Sequence, residues 1–327
     1  MLHSPIPTQQ INSEIANCAG VEMYVLRLDL MHPWVNGNKW FKLKYNLLAA
    51  KEENFTTLLT FGGAYSNHIY ATAAAGNLFG FRTIGVIRGE ERLPLNPTLS
   101  FAVQQGMQLM YVDRETYRQR HTPELHAQLR QRFGEVFMIP EGGCNLNGVR
   151  GCTEILAEVT AIFNTVCMAC GTATTLIGLT LASPSAKKIL GFPVLKNGEF
   201  LKQDINNLLT QYLASGLPAP SLTPTPWELI CNYHFGGYAK VNDHLLAFSQ
   251  EFTQTYGIPL DYVYTAKMFY GVIDLIQQGF FARGDRLLLI HTGGLQGNLG
   301  MRERLKNLPV LFRNEASEMS LTGSISN

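Results

Sequence analysis

Short apolar runs typical of strands alternate with helical patterns along most of this 327-residue chain, and this alternation constrains the fold more than any other feature. Alternation of this kind is typical of parallel strands joined by crossover helices. The sequence therefore predicts an α/β fold with mostly parallel sheets. Strands are predicted at 57–61, 83–87, 107–112, 136–140, 165–169, 188–194, 227–231 and 286–290.

The predicted strands separate into two groups along the chain. The first four define a compact smaller unit, residues 42–147, in which the charged stretch 114–132 is predicted to be an exposed helix. The later strands define a larger unit, residues 148–327, to which we also assign the opening segment 1–41. The polar, Ser-rich end Glu315–Asn327 is expected to fray.

Composition excludes several classes of protein. With 46% hydrophobic and 16% charged residues the chain can bury a sizeable core. The net charge is +1 and no basic stripe exists, so nucleic-acid binding is not expected. The amino terminus does not read as a secretory signal, which favours a cytoplasmic location. Residues 159–186 carry no charge, but polar residues and a proline interrupt the run, so we predict a strand, loop and helix rather than a membrane span.

The six cysteines form no regular disulfide framework. Cys167 and Cys170 form a C-x-x-C pair, but neither a second such pair nor a nearby histidine completes a zinc set. We therefore predict no metal site.

Lys39 follows the turn-forming residues Asn36-Gly37-Asn38 and precedes an apolar helical pattern. Lysine is a residue whose pKa falls readily on burial, which is what an amine that captures a carbonyl needs. Lys42 and Lys44 fall within the helical pattern and are predicted to be surface charges on that helix.

Two small-residue segments follow predicted strands, where open α/β sheets bind ligands. At the second, Gly171-Thr172-Ala173-Thr174-Thr175, a phosphate would be held by backbone N–H groups, hydroxyls and the helix dipole, since no Lys or Arg is near in sequence. At the first, Ser66-Asn67-His68, a hydroxyl, an amide and an imidazole come together. The alternative is a simple helix cap at Ser66 or Asn67, with His68 on an exposed first turn.

Two further segments could face a ligand. One is Leu287–Gly294, a predicted buried strand that runs through His291 and Thr292 into a glycine pair. The other is Asp261–Met268, which offers phenols and a hydroxyl at Tyr262, Tyr264 and Thr265. Either segment could instead be core and cap. Lys39 and the two small-residue segments at 62–68 and 171–175 together suggest pyridoxal phosphate chemistry.

The ordered set of motifs resembles the 1-aminocyclopropane-1-carboxylate (ACC) deaminase and D-cysteine desulfhydrase family. The set comprises Gly-Asn-Lys at 37–39, Gly-Gly-x-x-Ser-Asn-His at 62–68, Pro-Glu-Gly-Gly-x-Asn at 140–145, the Gly171 segment, Val-Tyr-Thr at 263–265 and His-Thr-Gly-Gly at 291–294. The resemblance implies a tryptophan-synthase-β-like fold of two three-layer α/β/α domains, with the cofactor in the cleft between them. The larger unit would bind pyridoxal 5′-phosphate and the smaller one would contact substrate.

The resemblance also implies a role for each site residue. Lys39 would carry the cofactor covalently, and Asn67 would bind its 3′-oxygen. The phosphate would lie on Cys170, Gly171, Thr172, Ala173 and Thr174. Ser66 and His68 would receive the substrate carboxylate. Tyr264 would lie against the substrate as acid, base or wall, and Thr292 would approach the pyridine nitrogen. The family further implies a homodimer.

Two positions favour the desulfhydrase branch. ACC deaminases resemble this chain but have a glutamate where Thr265 stands and a leucine where Thr292 stands. A hydroxyl near the ring nitrogen makes a weaker electron sink than a carboxylate, which suits loss of a good β leaving group. The expected products from D-cysteine are pyruvate, sulfide and ammonia. Relatives often have glutamine before the serine, whereas Tyr65 stands here.

Three alternatives stay open at this point. One is ACC deaminase activity, which gives 2-oxobutanoate and ammonia. Another is a protein that binds pyridoxal phosphate with little turnover, and the third is an α/β enzyme of another cofactor, such as a nucleotide. Only the Gly171 segment supports that third alternative, because the Walker lysine motif and the dinucleotide fingerprint are both missing.

Overall fold

The computed structural model describes residues 5–183 and 185–301, so the predicted frayed segment Glu315–Asn327 lies outside the described residues. The strands are β1 (Thr8–Ile11), β2 (Glu22–Arg27), β3 (Thr57–Gly63), β4 (Arg82–Arg88), β5 (Met107–Val112), β6 (Phe137–Ile139), β7 (Thr165–Cys170), β8 (Lys188–Pro193), β9 (Trp227–Leu229) and β10 (Arg286–His291). The helices are α1 (Glu14–Ala19), α2 (Asn38–Glu52), α3 (Asn67–Phe79), α4 (Pro97–Gln104), α5 (Arg114–Arg118), α6 (Pro123–Phe133), α7 (Leu146–Cys152), α8 (Thr174–Ala182), α9 (Leu201–Ala214), α10 (Asp243–Tyr256) and α11 (Thr265–Gln277).

The larger sheet has six strands in the order β1-β2-β10-β7-β8-β9. All neighbours in it are parallel except β1 and β2, which pair antiparallel. The smaller sheet, β5-β4-β3-β6, is fully parallel. The predicted α/β fold class with mostly parallel sheets is therefore confirmed.

Alternating side chains of the larger sheet enter two separate cores. One side of the sheet packs Met23, Cys167, Leu190 and Leu289 against α1, α10 and α11. The other side packs Val166, Ile189 and Leu288 against α7, α8 and α9. A sheet buried on both faces needs continuous apolar strands, which is why β7 and most of β10 are buried along their length.

The smaller sheet is also covered on both sides. Leu58 and Ile139 pack against α2 and α3, while Leu59 and Val86 pack against α6 and the buried ring of Tyr117. The helices that carry Lys39 and Asn67 therefore rest on this sheet through their apolar sides.

The structure differs from the predicted elements in two places. The charged stretch 114–132 is two helices, because Thr122 Oγ1 accepts a hydrogen bond from the Leu125 amide and Pro123 starts a new helix there. Strands β1 and β2 were not predicted: β1 is only four residues long and largely polar, and β2 opens with an exposed glutamate.

The uncharged run forms strand β7, a loop and the buried helix α8, as predicted. Within the described ranges, no helix combines the length and apolar character needed to cross a membrane. The same ranges hold no group of three His, Cys, Asp or Glu side chains suited to a metal ion. The boundaries 1–41, 42–147 and 148–327 stay a prediction.

Candidate active site

The carboxyl ends of β3, β7 and β10 lead into one pocket, which we call the lysine pocket. Parallel strands end at the same edge of a sheet, so segments distant in sequence meet there. Its lining residues are Trp34, Asn36, Asn38, Lys39, Lys42, Asn67, Ala71, Gly142, Met168, Ala169, Gly171, Thr172, Thr175, Tyr264, Thr292, Gly293, Gly294 and Gln296. Of the predicted site residues, Lys39, Asn67, Gly171, Thr172, Tyr264 and Thr292 line it.

Lys39 is the second residue of α2, and its ammonium nitrogen lies inside the lysine pocket. Nζ donates a hydrogen bond to Asn38 Oδ1 at 2.9 Å. Burial lowers the pKa of Lys39 to about 7, and the nearby Lys42 adds to the lowering. A large share of Lys39 is therefore a neutral amine at neutral pH, which is the nucleophilic form.

Gly37 allows the start of α2 to approach the end of β10. Its φ of 64° lies in the left-handed region, and an added Cβ would stand 2.0 Å from the Thr292 carbonyl oxygen. A residue other than glycine would therefore separate the two segments. The Gly-Asn-Lys turn thus places Gly37 against Thr292, a contact that sequence analysis did not predict.

Lys42 overturns a prediction. It was expected on the helix surface, but the residue is 3% exposed and its Nζ donates to Thr172 Oγ1 at 2.9 Å. Burial is the main cause of its lowered pKa. The Gly171 segment therefore has a cation beside it in space, although none is near it in sequence. The missed signal was spacing, since residues three apart lie on one face of a helix and Lys42 follows Lys39 by three.

The Gly171 segment forms a hydroxyl-lined turn between β7 and α8. Thr172 Oγ1 lies 3.4 Å from Thr174 Oγ1, and Asn38 Nδ2 donates to Thr175 Oγ1 at 3.0 Å. Ala173 stands at the N-cap of the buried helix α8. The Cys170 thiol lies on the side of Gly191, away from the pocket, so Cys170 offers only its backbone here.

The Ser66-Asn67-His68 segment divides its three side chains among different surroundings. Ser66 Oγ caps α3 by accepting from the His68 and Ile69 amides, so the predicted helix cap is present. Asn67 lines the lysine pocket, where Gln296 Nε2 donates to its Oδ1 at 3.0 Å. His68 is buried rather than exposed: Nε2 lies 2.8 Å from Thr60 Oγ1, while Nδ1 has no partner among the described residues.

Tyr264 precedes α11 and its ring lies against the Gly171 backbone, where an added Cβ would stand 2.9 Å from Cε1. Burial, followed by the neighbouring Tyr238, raises the pKa of the Tyr264 phenol well above its usual value. The hydroxyl therefore keeps its proton over the ordinary pH range. Thr265 exchanges hydrogen bonds with the Asp261 backbone and does not line the pocket.

Asp261 is a buried carboxylic acid that sequence analysis mentioned only within its segment. Oδ1 accepts from the Tyr264 amide at 2.6 Å, whereas Oδ2 has no hydrogen-bond partner in the described part of the chain. Burial raises the pKa of Asp261 to about 7. It holds the backbone that presents Tyr264.

Thr292 lines the lysine pocket and His291 does not, so Thr292 is the one of the two that can face a bound ring. His291 is buried behind it, with Nε2 2.8 Å from the Pro259 carbonyl and Nδ1 3.3 Å from Asp29. Arg27 grips Asp29 through two further hydrogen bonds at 2.9 and 2.7 Å. This network holds the end of β10 in place.

Two open cavities adjoin the lysine pocket. The outer cavity shares Asn67 and Tyr264 with it, and also has Gly63, Ala64, Tyr65, Arg88, Tyr238, Ala239, Asp261, Val263, Gly297, Gly300 and Met301 in its walls. The arginine cleft shares Gly171 and Thr172, and is lined further by Gly63, Ser66, Arg88, Arg120, His121, Glu141, Cys144, Ala173, Leu195, Phe200, Leu201, Asp204, Asn207, Leu208, Gln211 and Tyr238. A small molecule can therefore reach the lysine pocket from two sides.

The donor set of the lysine pocket fits a phosphorylated aromatic aldehyde. Lys39 is an amine able to capture a carbonyl, and Lys42 and the Thr172 hydroxyl offer donors to a phosphate. Thr174 is buried next to Thr172 and does not line the pocket. The Asn67 amide and the Thr292 hydroxyl can meet polar atoms on the ring between them. No carboxylate lines the pocket itself, within the described residues.

Comparison with known proteins agrees with this chemistry. The family described as "Pyridoxal-phosphate dependent enzyme" matches residues 3–293. A putative ACC deaminase of Pyrococcus horikoshii is 30% identical over 88% of this chain and 89% of its own. A D-cysteine desulfhydrase of Yersinia pestis is 26% identical over 86% and 89%. A crystal structure of an ACC deaminase homologue superposes with a TM-score of 0.79 at 26% identity, covering 94% of this chain and 95% of that one.

Proposed function

Because this chain belongs to the family of pyridoxal-phosphate dependent enzymes, we propose that it releases ammonia and a 2-keto acid from a small amino acid. Family membership confirms the predicted cofactor and the prediction that the chain is an enzyme. The relatives confirm the predicted resemblance to ACC deaminases and D-cysteine desulfhydrases. The predicted alternative of an α/β enzyme with another cofactor is thereby excluded.

The observation that carries the proposal is the amine of Lys39 in the lysine pocket, beside a turn with donors suited to a phosphate. We propose that Lys39 binds the cofactor aldehyde and that Asn67 binds its 3′-oxygen. Thr172, Thr174 and the backbone of Cys170, Gly171 and Ala173 would hold its phosphate, together with Lys42. Thr292 would lie at the pyridine nitrogen. When bound, pyridoxal phosphate supplies the electron sink for chemistry at the amino acid α carbon.

The protein's own residues bind the substrate and move protons. We propose that the Lys39 amine, with its pKa of about 7, takes the α proton at Nζ. Ser66 and the start of α3 are suited to an α-carboxylate, because the helix amino terminus favours negative charge. His68 has an unpaired Nδ1 but lines neither the pocket nor the adjoining cavities, so its proposed contact with substrate requires a local rearrangement. Tyr264 stays protonated and closes the pocket against Gly171.

Between the two named activities, we propose D-cysteine desulfhydration. Thr292 offers a hydroxyl, and none of the described residues that line the lysine pocket is a carboxylate. This environment suits elimination of a good leaving group better than opening of an unactivated ring. The expected products from D-cysteine and water are pyruvate, sulfide and ammonia. ACC deaminase activity is the second candidate, supported by the name of the Pyrococcus relative.

The test has two parts. Borohydride treatment of the protein reconstituted with pyridoxal phosphate should attach the cofactor permanently to the peptide that contains Lys39, as read by mass spectrometry, and Lys39→Ala should lose this label. Keto acid release is then measured from D-cysteine, other β-substituted D-amino acids and ACC. Label on another lysine would contradict the site assignment, while label at Lys39 without product from any substrate would favour a cofactor-binding protein with little turnover.

A homodimer remains a proposal that follows from the resemblance, and a cytoplasmic location remains a proposal as well. Sedimentation of the purified protein measures the oligomeric state, and the proposal predicts a mass near twice the 36.4 kDa of one chain.

A further inference from the structure

We propose that Arg88 makes the active site selective for amino acids whose side chain ends in a second carboxylate. This inference rests on the proposed function and narrows its substrate class. Arg88 lines both the outer cavity and the arginine cleft, and no role in cofactor or substrate binding was predicted for it.

Arg88 is the last residue of β4, and it pairs in register with Gly63 at the end of β3. An added Cβ on Gly63 would stand 3.4 Å from Arg88 Nη2, so the guanidinium lies over the glycine. Ser66, three residues later, caps α3, and its amide donates to the Gly63 carbonyl at 3.0 Å. The Arg88 side chain therefore lies close to the turn between β3 and α3, which leads to Asn67.

The guanidinium is positioned without being neutralised. Its carbon lies 5.5 Å from the ring centroid of the buried Tyr117, a cation–π distance. Among the residues that the structure describes, no carboxylate forms an ion pair with Arg88. Arg88 is an exposed residue, and an arginine that stacks on a tyrosine but lacks a carboxylate can bind one from a ligand, because its planar fork matches carboxylate geometry.

The other titratable groups around the two cavities do not cancel this charge. In the arginine cleft, Glu141 is already paired with Arg120 at 2.8 Å. Burial, and then Arg120, lowers the pKa of His121, so that imidazole is largely neutral at neutral pH. Asp204 lines the cleft but not the outer cavity.

In the outer cavity the only acid among the described lining residues is Asp261, and burial raises its pKa to about 7. That carboxyl is therefore in part uncharged at neutral pH. Arg88 is therefore the permanent positive charge among the described residues that line the outer cavity.

The outer cavity also suits the stem of such a side chain. Tyr65, Val263 and Met301 give it apolar walls, and Asn67 and Tyr264 connect it to the lysine pocket. A ligand that reacts beside Lys39 can therefore extend along apolar surface and place a terminal carboxylate at Arg88. The proposed contact of the α-carboxylate with Ser66 leaves Arg88 for the second acid.

A matched pair of compounds isolates the charge. S-carboxymethyl-D-cysteine ends in a carboxylate, and S-carbamoylmethyl-D-cysteine replaces it by an amide of nearly the same shape. For the acid, elimination breaks the Cβ–S bond and the α proton is removed. Water then releases ammonia, so that the acid plus one water gives pyruvate, ammonia and thioglycolate.

The experiment measures kcat and KM for both compounds with the holoenzyme, and their Kd by calorimetry. We expect the wild type to prefer the acid at least about 10-fold in KM and Kd, as for a charge-assisted contact that is partly open to water. Arg88→Leu should remove this preference and leave the values for the amide within about 3-fold. Arg88→Gln serves if the leucine variant does not fold, and Arg88→Lys should keep part of the preference.

Arg82→Leu is the matched control, because Arg82 is exposed like Arg88 but stands at the opposite end of the same strand and lines neither cavity. An equal KM for acid and amide in the wild type would overturn the proposal. So would an equal rise for both compounds in Arg88→Leu, which would assign Arg88 to the α-carboxylate. Turnover of both compounds without a preference for the acid refutes this inference alone. If no substrate yields a keto acid, the proposed function is refuted. The comparison of Kd for the acid and the amide then decides the role of Arg88.

Discussion

At the scale of single residues, the two lysines of α2 show how burial sets chemical character. Lys39 and Lys42 are one helical turn apart, and both lose solvation in the lysine pocket. Lys42 also lowers the pKa of Lys39, because two nearby positive charges repel. Lys44, two residues further, pairs with Glu154 and stays partly exposed. One short stretch of helix thus holds two lysines with lowered pKa values and one partly exposed lysine paired with a carboxylate.

Lys42→Ala should weaken binding of pyridoxal phosphate by at least about 10-fold. The change removes the charged donor beside Thr172, and loss of a charge-assisted contact to an anion costs on the order of 1.5–3 kcal/mol. Cofactor titration followed by absorbance gives the Kd. Lys44→Ala on the same helix is the control and should leave the Kd within about 2-fold. Equal affinities for the two variants would remove Lys42 from the phosphate site.

Asp261 gives a prediction about stability and pH. Its folded pKa of about 7 lies above the ordinary 3.8, so between these values the folded protein keeps a proton that the unfolded chain releases. The folded state therefore loses stability as pH rises from about 4 to about 7. Asp261→Asn cannot ionise and can still accept from the Tyr264 amide.

The Asn variant of the cofactor-free protein should accordingly gain stability relative to wild type as pH rises, by on the order of 1–3 kcal/mol across that window. Chemical denaturation at pH 5 and pH 8 measures the difference in unfolding free energy. Asp204→Asn, at an exposed carboxylate, is the control and should show no such trend. A difference that is the same at both pH values would mean that Asp261 is ionised in the fold.

At the scale of elements, the contact between α2 and α7 fixes the site lysines. Gly151 of α7 is buried, and an added Cβ would stand 1.8 Å from the Phe41 carbonyl oxygen in α2. The helices touch backbone to backbone there, so neither can rotate without moving Lys39 and Lys42. The Gly171 segment is held on the other side, through Asn38 and Thr175.

Gly151→Ala should therefore displace α2, reduce stability by about 1–3 kcal/mol and lower cofactor affinity together. Thermal unfolding and cofactor titration measure the two effects. Asn147→Ala, at a half-buried residue of the same helix, tests whether any change in α7 has this result. Lost stability with unchanged cofactor affinity would show that the two helices do not transmit the strain to Lys39.

At the scale of the whole molecule, the lysine pocket draws residues from the connections of both sheets. Asn67 and Ala71 belong to α3 on the smaller sheet, while Thr172 and Thr292 follow strands of the larger one. A ligand that contacts all four links the two sheets. Binding to the folded state alone stabilises it by mass action.

Saturation with pyridoxal phosphate should raise Tm, with a gain of about 2.7 kcal/mol at one hundred times the Kd. Amide exchange should slow at the starts of α2, α3 and α8, whose residues line the pocket, and stay unchanged in α10, where no residue does. Calorimetry and hydrogen exchange by mass spectrometry provide the two readouts. Protection confined to α8 would mean that the cofactor contacts only the larger sheet.

The sequence by itself determined the fold class, the positions of most strands and the family, and it singled out the lysine that we propose as reactive. These features are local, because apolar runs such as β7 and turn residues such as Gly37 can be recognised from their immediate sequence neighbours. The order of the motifs added the resemblance. The short polar strand β1 and the break at Pro123 were missed because each depends on a few weak preferences.

Only the tertiary structure decided the electrostatics of the site. Lys42 looked like a surface charge because hydration cannot be read from a helical pattern, but it is buried because α2 packs beside the Gly171 segment. Asp261 and Arg88 likewise gained their character from what surrounds them in space. Solvation and charge pairing depend on distances between segments far apart in the chain, and folding alone sets those distances.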